Sequence, residues 1–337
     1  MFSTHIIDPK EDIYFQEEYI KLHLNDGDEI FSYTCEENGK LFRNISIKRP
    51  ITQIGSKTLE SGLFDLETPY GYGGYFSNTS DQDFVERSFC KLRELCSDQN
   101  IVAEFVRFHP FNQFPRQHQK QLVKIEPNRH AVFVDLETKI SDGYSSSLTR
   151  NLKSAKEHGL TVEEADFESG LDTFIPMYIK TMERNRAGKF YFLPREYFDE
   201  LGQLKASRLF FTRFENQIIN GFIILESKPM AYYHLGATHP DFYALHPNPF
   251  LFDFLIRKYQ SQGYLCFYLG GGNKSTPEDT LFKFKKKFSN TVLDYYIWGT
   301  VFRRQDYNRL NQIAEAEYGT LPDIYLKYRY IPNEMNF

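Results

Sequence analysis

Apolar positions along this chain follow two periods, and the order in which those periods succeed one another occurs twice. Residues 31–49, FSYTCEENGKLFRNISIKR, form two β-branched and aromatic runs about a polar Asn-containing turn, a hairpin pattern. Residues 210–228, FFTRFENQIINGFIILESK, repeat it more loosely. Each hairpin leads to a segment with small residues, PYGYGGYFSN at 69–78 and AYYHLGATH at 231–239. A helical stripe follows: Phe89, Leu92 and Cys96 in the first case, Phe252, Leu255 and Tyr259 in the second. Each stripe ends in a residue suited to a helix C-terminus, Asn100 or Gly263, and then in a strand-like run, AEFVRFHPF or CFYLGGGNK. A constant offset of 163 positions aligns Tyr70 with Tyr233, Gly73 with Gly236 and Phe89 with Phe252 without a gap. The repeated unit is strand, small-residue loop, helix, strand.

Three further segments have clear periods. LTRNLKSAKEHG places Leu148, Leu152 and Ala155 on one helical face and ends at Gly159. VFRRQDYNRLNQIAEAEYG reads as a helix that can pack back on the first domain. LFKFKKKFS alternates Phe282 and Phe284 with Lys283 and Lys285, the pattern of a strand with one charged face.

A length of 337 residues suits two cores. The expected division is a first domain over 1–140, a second over 141–300, and a C-terminal helix and tail over 301–337. The predicted fold class is α/β (α+β), with a mixed central sheet flanked by helices in each domain. Hydrophobic residues make up 41% and aromatic residues 17%, so large rings must fill cores or line a site. A net charge of −5 argues against a general nucleic-acid binder, and no DNA partner is expected. Cys35, Cys90, Cys96 and Cys266 lack paired spacing and read as reduced thiols, with Cys266 in the core. His234, His239 and His246 lack metal-ligand spacing, so no metal is expected. With neither a signal-peptide pattern nor an integral membrane segment, a cytoplasmic location is expected.

Taken together, PYGYGG, VRFHPF, RNLKSAKEHG, YYHLGATHPDF, YLGGG and LFKFKKKFS resemble the FemAB/FemX-like proteins. These are the peptidoglycan interpeptide-bridge aminoacyltransferases and their relatives, built from two GNAT-like (acyl-CoA N-acyltransferase-like) domains. The resemblance runs from about residue 30 to residue 290 and implies transfer of an acyl or aminoacyl group onto an amine in cell-envelope or peptidoglycan precursor metabolism. No cofactor is certain. The donor it implies is aminoacyl-tRNA or acyl-CoA, and the acceptor a small-molecule or lipid-linked amine. An acetyl-CoA-dependent N-acetyltransferase for a small amine or amino sugar is a second reading, and a non-catalytic ligand-binding module a third. The oligomeric state stays open.

On that fold the repeated glycine-bearing tips lie where the sheet splays and substrate enters. Tyr70, Gly71, Tyr72, Gly73 and Gly74 in the first repeat, with Tyr233, His234 and Gly236 in the second, are candidates to approach substrate; a tight turn or bulge is the alternative. No Walker or GxGxxG pattern accompanies them. His109 is a candidate base for the attacking amine, at a point where bridge-forming relatives more often place Asp; a histidine bonded to backbone is the other reading. Arg107 can hold a phosphate or carboxylate, or stand in a surface ion pair. Lys285 is the candidate stabiliser of the transition-state oxyanion, with Lys283 and Lys286 beside it and Gly270 and Gly271 at the strand end. Arg150, Lys153 and Lys156 form a basic stripe that can meet tRNA or simply face solvent. Asn248 is expected to cap a helix beginning at Pro249, where acetyltransferases of this fold receive the coenzyme A pyrophosphate.

Overall fold

The computed structural model describes residues 7–8, 11–60, 62–119, 122, 125–272, 276 and 278–332. Backbone proximity divides the chain into two units. One holds Tyr14–Asn128 and Tyr295–Met335; the other is built on Arg129–Asp294 and takes in Asp12 and Ile13. The first division falls before residue 140, because Ala131–Asp135 already pairs with a strand of the second unit, and the second falls before residue 300, because Ile297–Val301 pairs with a strand of the first.

In the first unit the chain forms α1 (Glu17–Lys21), β1 (Glu29–Glu37), β2 (Lys40–Pro50), β3 (Gln53–Ile54), β4 (Lys57–Thr58), β5 (Phe64–Glu67) and β6 (Phe76–Ser77). It continues through α2 (Gln82–Asp98), β7 (Ile101–Arg107) and α3 (Phe114–Gln117). The second unit runs from β8 (Glu126–Asp135) through α4 (Ser146–Glu157), β9 (Thr161–Ala165), α5 (Phe167–Arg184) and α6 (Arg195–Gln203). There follow β10 (Ser207–Phe214), β11 (Gln217–Ser227), β12 (Met230–Thr238), α7 (Pro247–Ser261), β13 (Cys266–Gly271) and α8 (Thr280–Lys285). The chain then returns to the first unit as β14 (Val292–Val301) and α9 (Arg304–Tyr318).

The first unit's strands lie in the order β1-β2-β5-β7-β14, and those of the second in the order β8-β13-β12-β11-β10-β9. Each sheet is mixed. The β5–β7 pair of the first unit and the β12–β13 pair of the second are parallel, and each is joined through a helix, α2 or α7. Those two helices end at Asp98 and Ser261, the offset of the sequence repeat. Their apolar stripes explain the placement. Phe84, Phe89, Leu92 and Cys96 pack with Ile101, Val106 and Trp298, while Phe252, Leu255 and Tyr259 pack with Val132, Ile224 and Phe267. Helix α9 lays Leu310 and Ala314 against Ile51, Ile54, Val102 and Ala103 of its own unit.

Two polar clusters interrupt the first unit's core. Glu104 is fully buried in β7 and accepts from Asn44 Nδ2 at 2.9 Å, Ser46 Oγ at 3.0 Å and the Tyr75 hydroxyl, and burial lifts its carboxyl above the usual range. Asp65, also buried, accepts from Arg49 Nε at 2.9 Å and Arg329 Nε at 2.8 Å, which ties the C-terminal segment to β5. Burial opposes ionisation of Asp65, yet the two guanidinium groups prevail and hold its carboxyl below 3.8. A carboxyl with a depressed folded value stabilises the fold above its unfolded value and loses that contribution as pH falls through the folded one. Asp65→Asn therefore loses about 3 kcal/mol at neutral pH, since it leaves two cations beside a neutral amide. Urea unfolding at falling pH checks this, and the gap between variant and parent closes in strong acid.

Candidate functional site

The chemistry-bearing groups gather where two parallel strands of the second unit part. Strands β12 and β13 pair only at Met230↔Cys266, Ala231↔Phe267 and Tyr232↔Tyr268. Beyond that register β12 continues to Thr238 on β11 alone, and β13 to Gly271 on β8 alone. In such a gap every second residue of each strand turns its N–H and C=O away from its remaining neighbour, toward the opening. Bulges sharpen the divergence. His234 is the extra residue between Tyr233 and Leu235, which pair with Ile224 and Ile223, and Leu269 is the extra residue between Tyr268 and Gly270.

Lys285 fills this opening. The segment expected as a strand is helix α8, so the two lysines do not share a face: two residues along a helix turn through about 200°. Lys285 faces inward at 4% exposure, whereas Lys283 faces solvent. Lys286 is half-buried, with Nζ 3.4 Å from the Asn290 carbonyl. Asp279 starts the helix by accepting from Phe282 N at 2.7 Å, a capping signal that outweighs four residues of apparent alternation. Lys285 Nζ donates to the Gly271 carbonyl at 2.7 Å and lies 5.5 Å from the centroid of the Tyr233 ring. Burial pulls the ammonium group down to about 7, with Asp279 pulling weakly the other way. Gly270 has φ +79°, and a Cβ there would stand 3.3 Å from Lys285 Nζ, so a side chain would meet both backbone strain and crowding.

Tyr233 stands between Phe222 and Phe252, with ring centroids at 4.8 and 4.9 Å, and burial pushes its phenol upward. A Cβ on Gly236 would lie 2.2 Å from the Tyr233 hydroxyl, so this glycine makes room for the ring beneath the lysine. His234 is buried and its Nε2 lies 2.8 Å from the Tyr197 hydroxyl, which anchors α6 to β12. Cys266 packs in the core, its thiol pushed well above its ordinary value by burial.

Near the opening, the start of α7 departs from expectation. The helix begins at Pro247, one residue before Asn248, with His246 in the cap position at φ 57°. Asn248 lies within the first turn, where its Oδ1 accepts from Asn220 Nδ2 at 2.8 Å and Thr238 Oγ1 at 2.9 Å, fastening α7 to β11 and β12. Pro247 and Pro249 have no N–H, and Phe250 N is bonded to the His246 carbonyl at 3.2 Å. This helix start consequently has few donors for a diphosphate. A cavity of ≈ 260 Å³ borders it, lined among others by Asn151, Tyr243, His246, Phe284 and Lys287. Among the described residues no group of three His, Cys, Asp or Glu side chains can hold a metal ion.

The first unit's counterpart is closed. Thr68 N bonds to the Phe105 carbonyl at 3.2 Å, Thr68 Oγ1 accepts from Arg107 N at 3.1 Å, and Gly73 N bonds to the Arg107 carbonyl at 2.9 Å. His109 N returns a bond to the Gly73 carbonyl at 3.2 Å. The glycines are there for packing: Gly71 meets the Tyr14 ring, Gly73 meets Thr68, and Gly74, at φ +96°, abuts Phe108 and Val106. The Tyr70 carbonyl accepts from the Tyr19 hydroxyl at 2.8 Å, and Tyr72 packs edge-on against Tyr14, His109 and Tyr295. This tip is a packed seam, and the expectation that Gly71, Gly73 and Gly74 open main-chain donors to a ligand is corrected. His109 is corrected too. It is 1% exposed among rings, its Nδ1 accepts from Phe111 N at 3.2 Å, and burial lowers it to about 3, far too weak a base at neutral pH. Arg107 is half-buried with its guanidinium 5.6 Å from the Phe105 ring centroid.

Residues 144–286, within the second unit, match the model of the acetyltransferase (GNAT) domain. A search of curated proteins by sequence gives no match. Among solved structures, FemX superposes with a TM-score of 0.68 at 12% identity, over 89% of this chain and 96% of that one. L-PGS from Bacillus licheniformis superposes at 0.54 with 14% identity, over 87% and 90%. The C-terminal domain of a protein assigned as a lysylphosphatidylglycerol synthetase from Agrobacterium fabrum gives 0.53 at 17% identity, over 86% and 90%. The fold is thus the FemX-like one of two GNAT-like domains. No helix among the described residues is long and apolar enough to cross a membrane.

A buried lysine held near 7 reduces stability wherever the unfolded chain keeps its proton and the fold does not favour it. That penalty is full below pH 7 and fades as pH climbs toward 10.5, the ordinary lysine value. Lys285→Met is therefore expected to stabilise the fold at neutral pH by roughly 2 kcal/mol. Thermal unfolding across this range checks it: the parent gains stability with rising pH and the variant does not.

Proposed function

We propose that the protein transfers an aminoacyl group to an amine acceptor of cell-envelope metabolism, and that the second unit carries the reaction. The observation that bears most weight is the buried Lys285 ammonium at the parting of β12 and β13, inside the segment that matches a GNAT domain. The acceptor nitrogen attacks the ester carbonyl of the donor, forming a C–N bond while negative charge develops on oxygen. Lys285 in its protonated form, aided by main-chain N–H groups turned into the gap, steadies that oxyanion. Collapse breaks the C–O bond to the donor; the leaving oxygen takes up a proton and the nitrogen gives one to solvent.

Aminoacyl-tRNA is favoured over acyl-CoA as donor by the two prolines and the internal bond at the start of α7, which leave little to grip a diphosphate. The FemX likeness and the likeness to L-PGS support the same direction, as does the sequence resemblance to bridge-forming enzymes. His109 and the tip 70–74 keep a structural role in this reading.

A transfer assay with radiolabelled aminoacyl-tRNA and acetyl-CoA, against soluble and lipid-linked amines, tests it. Label passes from the tRNA, Lys285→Ala lowers kcat by about 100-fold or more, and His109→Gln keeps most of the activity if the variant stays folded. Because the lysine must be protonated, kcat/KM falls as pH rises through about 7, and Lys285→Arg removes that limb. Transfer from acetyl-CoA alone, or full activity in Lys285→Ala, overturns the proposal.

A further inference from the structure

Lys285 serves the oxyanion in its protonated form and His109 is too weak a base at neutral pH, so the proton of the attacking amine needs another acceptor. The strand beside β13 carries one. Strand β8 is antiparallel to β13, and its first residues therefore stand next to the C-terminal tip of β13: Ala131 pairs with Gly271, and Arg129 Nη1 donates to the Gly272 carbonyl at 3.3 Å. Gly271 is also the residue whose carbonyl holds Lys285 Nζ. His130 lies between those two contacts. Side chains alternate along a strand, which places His130 on the face of Val132 and Val134, the face that packs with Phe252 of α7 and with Phe282 and Phe284 of α8. The His130 ring centroid is 6.0 Å from that of Phe282, three residues before Lys285 on the same helix.

His130 Nδ1 lies 2.5 Å from Asp294 Oδ1, and both residues belong to the second unit. A carboxylate only accepts, so Nδ1 carries the hydrogen and Nε2 the lone pair. Among the described residues Nε2 has no hydrogen-bond partner, and the side chain is half-exposed, within reach of a ligand. An imidazole fixed at one nitrogen by a carboxylate and open at the other is the form in which histidine takes up a proton.

We infer that His130 is the general base of the proposed transfer and that Asp294 is the residue that positions it. The inference rests on that reaction and deepens it. As the amine attacks the ester carbonyl and the C–N bond forms, its nitrogen becomes positively charged, and it must lose a proton before the C–O bond breaks or the intermediate reverts. His130 Nε2 takes that proton, the N–H electron pair stays on nitrogen, and the imidazolium releases the proton to solvent. An imidazolium forming close to an ammonium group is disfavoured by like charge, and Asp294 offsets it. Oxygen and nitrogen are thus served by different groups, Lys285 and the His130–Asp294 pair. The acceptor approaches over the tip of β13, where Gly270, Gly271 and Gly272 place no side chain of their own on the path. A mere surface ion pair would contribute little to stability and nothing to kcat.

The test compares His130→Ala, Asp294→Asn and the double variant with the parent in the full chain, with thermal unfolding as the check on folding. In His130→Ala kcat is expected to fall about 100-fold with KM nearly unchanged, and in Asp294→Asn about tenfold, while the double variant falls no further than His130→Ala. Added imidazole is expected to restore His130→Ala in proportion to its concentration and to leave Lys285→Ala inactive, a response that lost packing would not give. His130→Gln, which can keep a hydrogen bond to Asp294 but takes up no proton at neutral pH, gives the same loss and serves if the alanine variant unfolds. The inference is overturned if His130→Ala keeps the parent's kcat, if imidazole does not rescue it, or if the two single losses multiply in the double variant. Lys285-dependent transfer from aminoacyl-tRNA that ignores His130 keeps the proposed reaction and sinks the base. Imidazole-rescued transfer from acetyl-CoA alone keeps the base and sinks the aminoacyl donor, and a parent inert with both donors sinks both.

Discussion

The hydrogen bond from Lys285 Nζ to the Gly271 carbonyl is the constraint around which the second unit's site is arranged. An ammonium group at 4% exposure is tolerable only where backbone oxygen and an aromatic face replace water, and both are present in Gly271 and Tyr233. The carbonyl is available because β13 has lost β12 by that point. The ring is available because Gly236 leaves room for it. The helix that carries the lysine is begun by Asp279 and seated by Phe282 and Phe284 against the core. Removing any of these moves the lysine, and with it a proton held near neutrality.

The two units solve the same topological problem in opposite ways. Both cross from one parallel strand to the next through a helix, and in both the strands diverge at the end where the helix departs. The first unit closes the divergence with the bonds of Thr68 and Gly73 and fills it with Tyr14, Tyr72 and His109. The second leaves the divergence open and puts a cation in it. A duplicated architecture has kept one seam for packing and one gap for chemistry, and that is why equivalent positions such as Gly73 and Gly236 have different work.

Much of the architecture was legible in the sequence, because helices α2, α4 and α7 carry long apolar stripes and because the offset of 163 links two similar units. Lys285, Tyr233, Gly236, Gly270 and Gly271 could be nominated from the glycine tips and the family resemblance, and the structure gathers these five around one opening. What could not be read depended on partners remote in sequence. Nothing near Gly71 announces that Tyr14 fills its space, and nothing near His109 announces its burial among rings. Glu104 with Tyr75, Asn44 and Ser46, and Asp65 with Arg329, are likewise polar clusters assembled across the fold. The misassigned strand at 282–285 had a local cause: four residues of alternation fit either period, and the deciding signal was the cap at Asp279.

The central claim is that one lysine, buried where two strands part, carries a proton that it yields near neutral pH. The most direct measurement is an NMR titration of the Lys285 side chain, assigned by comparison with Lys285→Met. The account predicts a midpoint at about 7 for this resonance. A midpoint near 10.5 for Lys285 would place its ammonium in water and contradict the account.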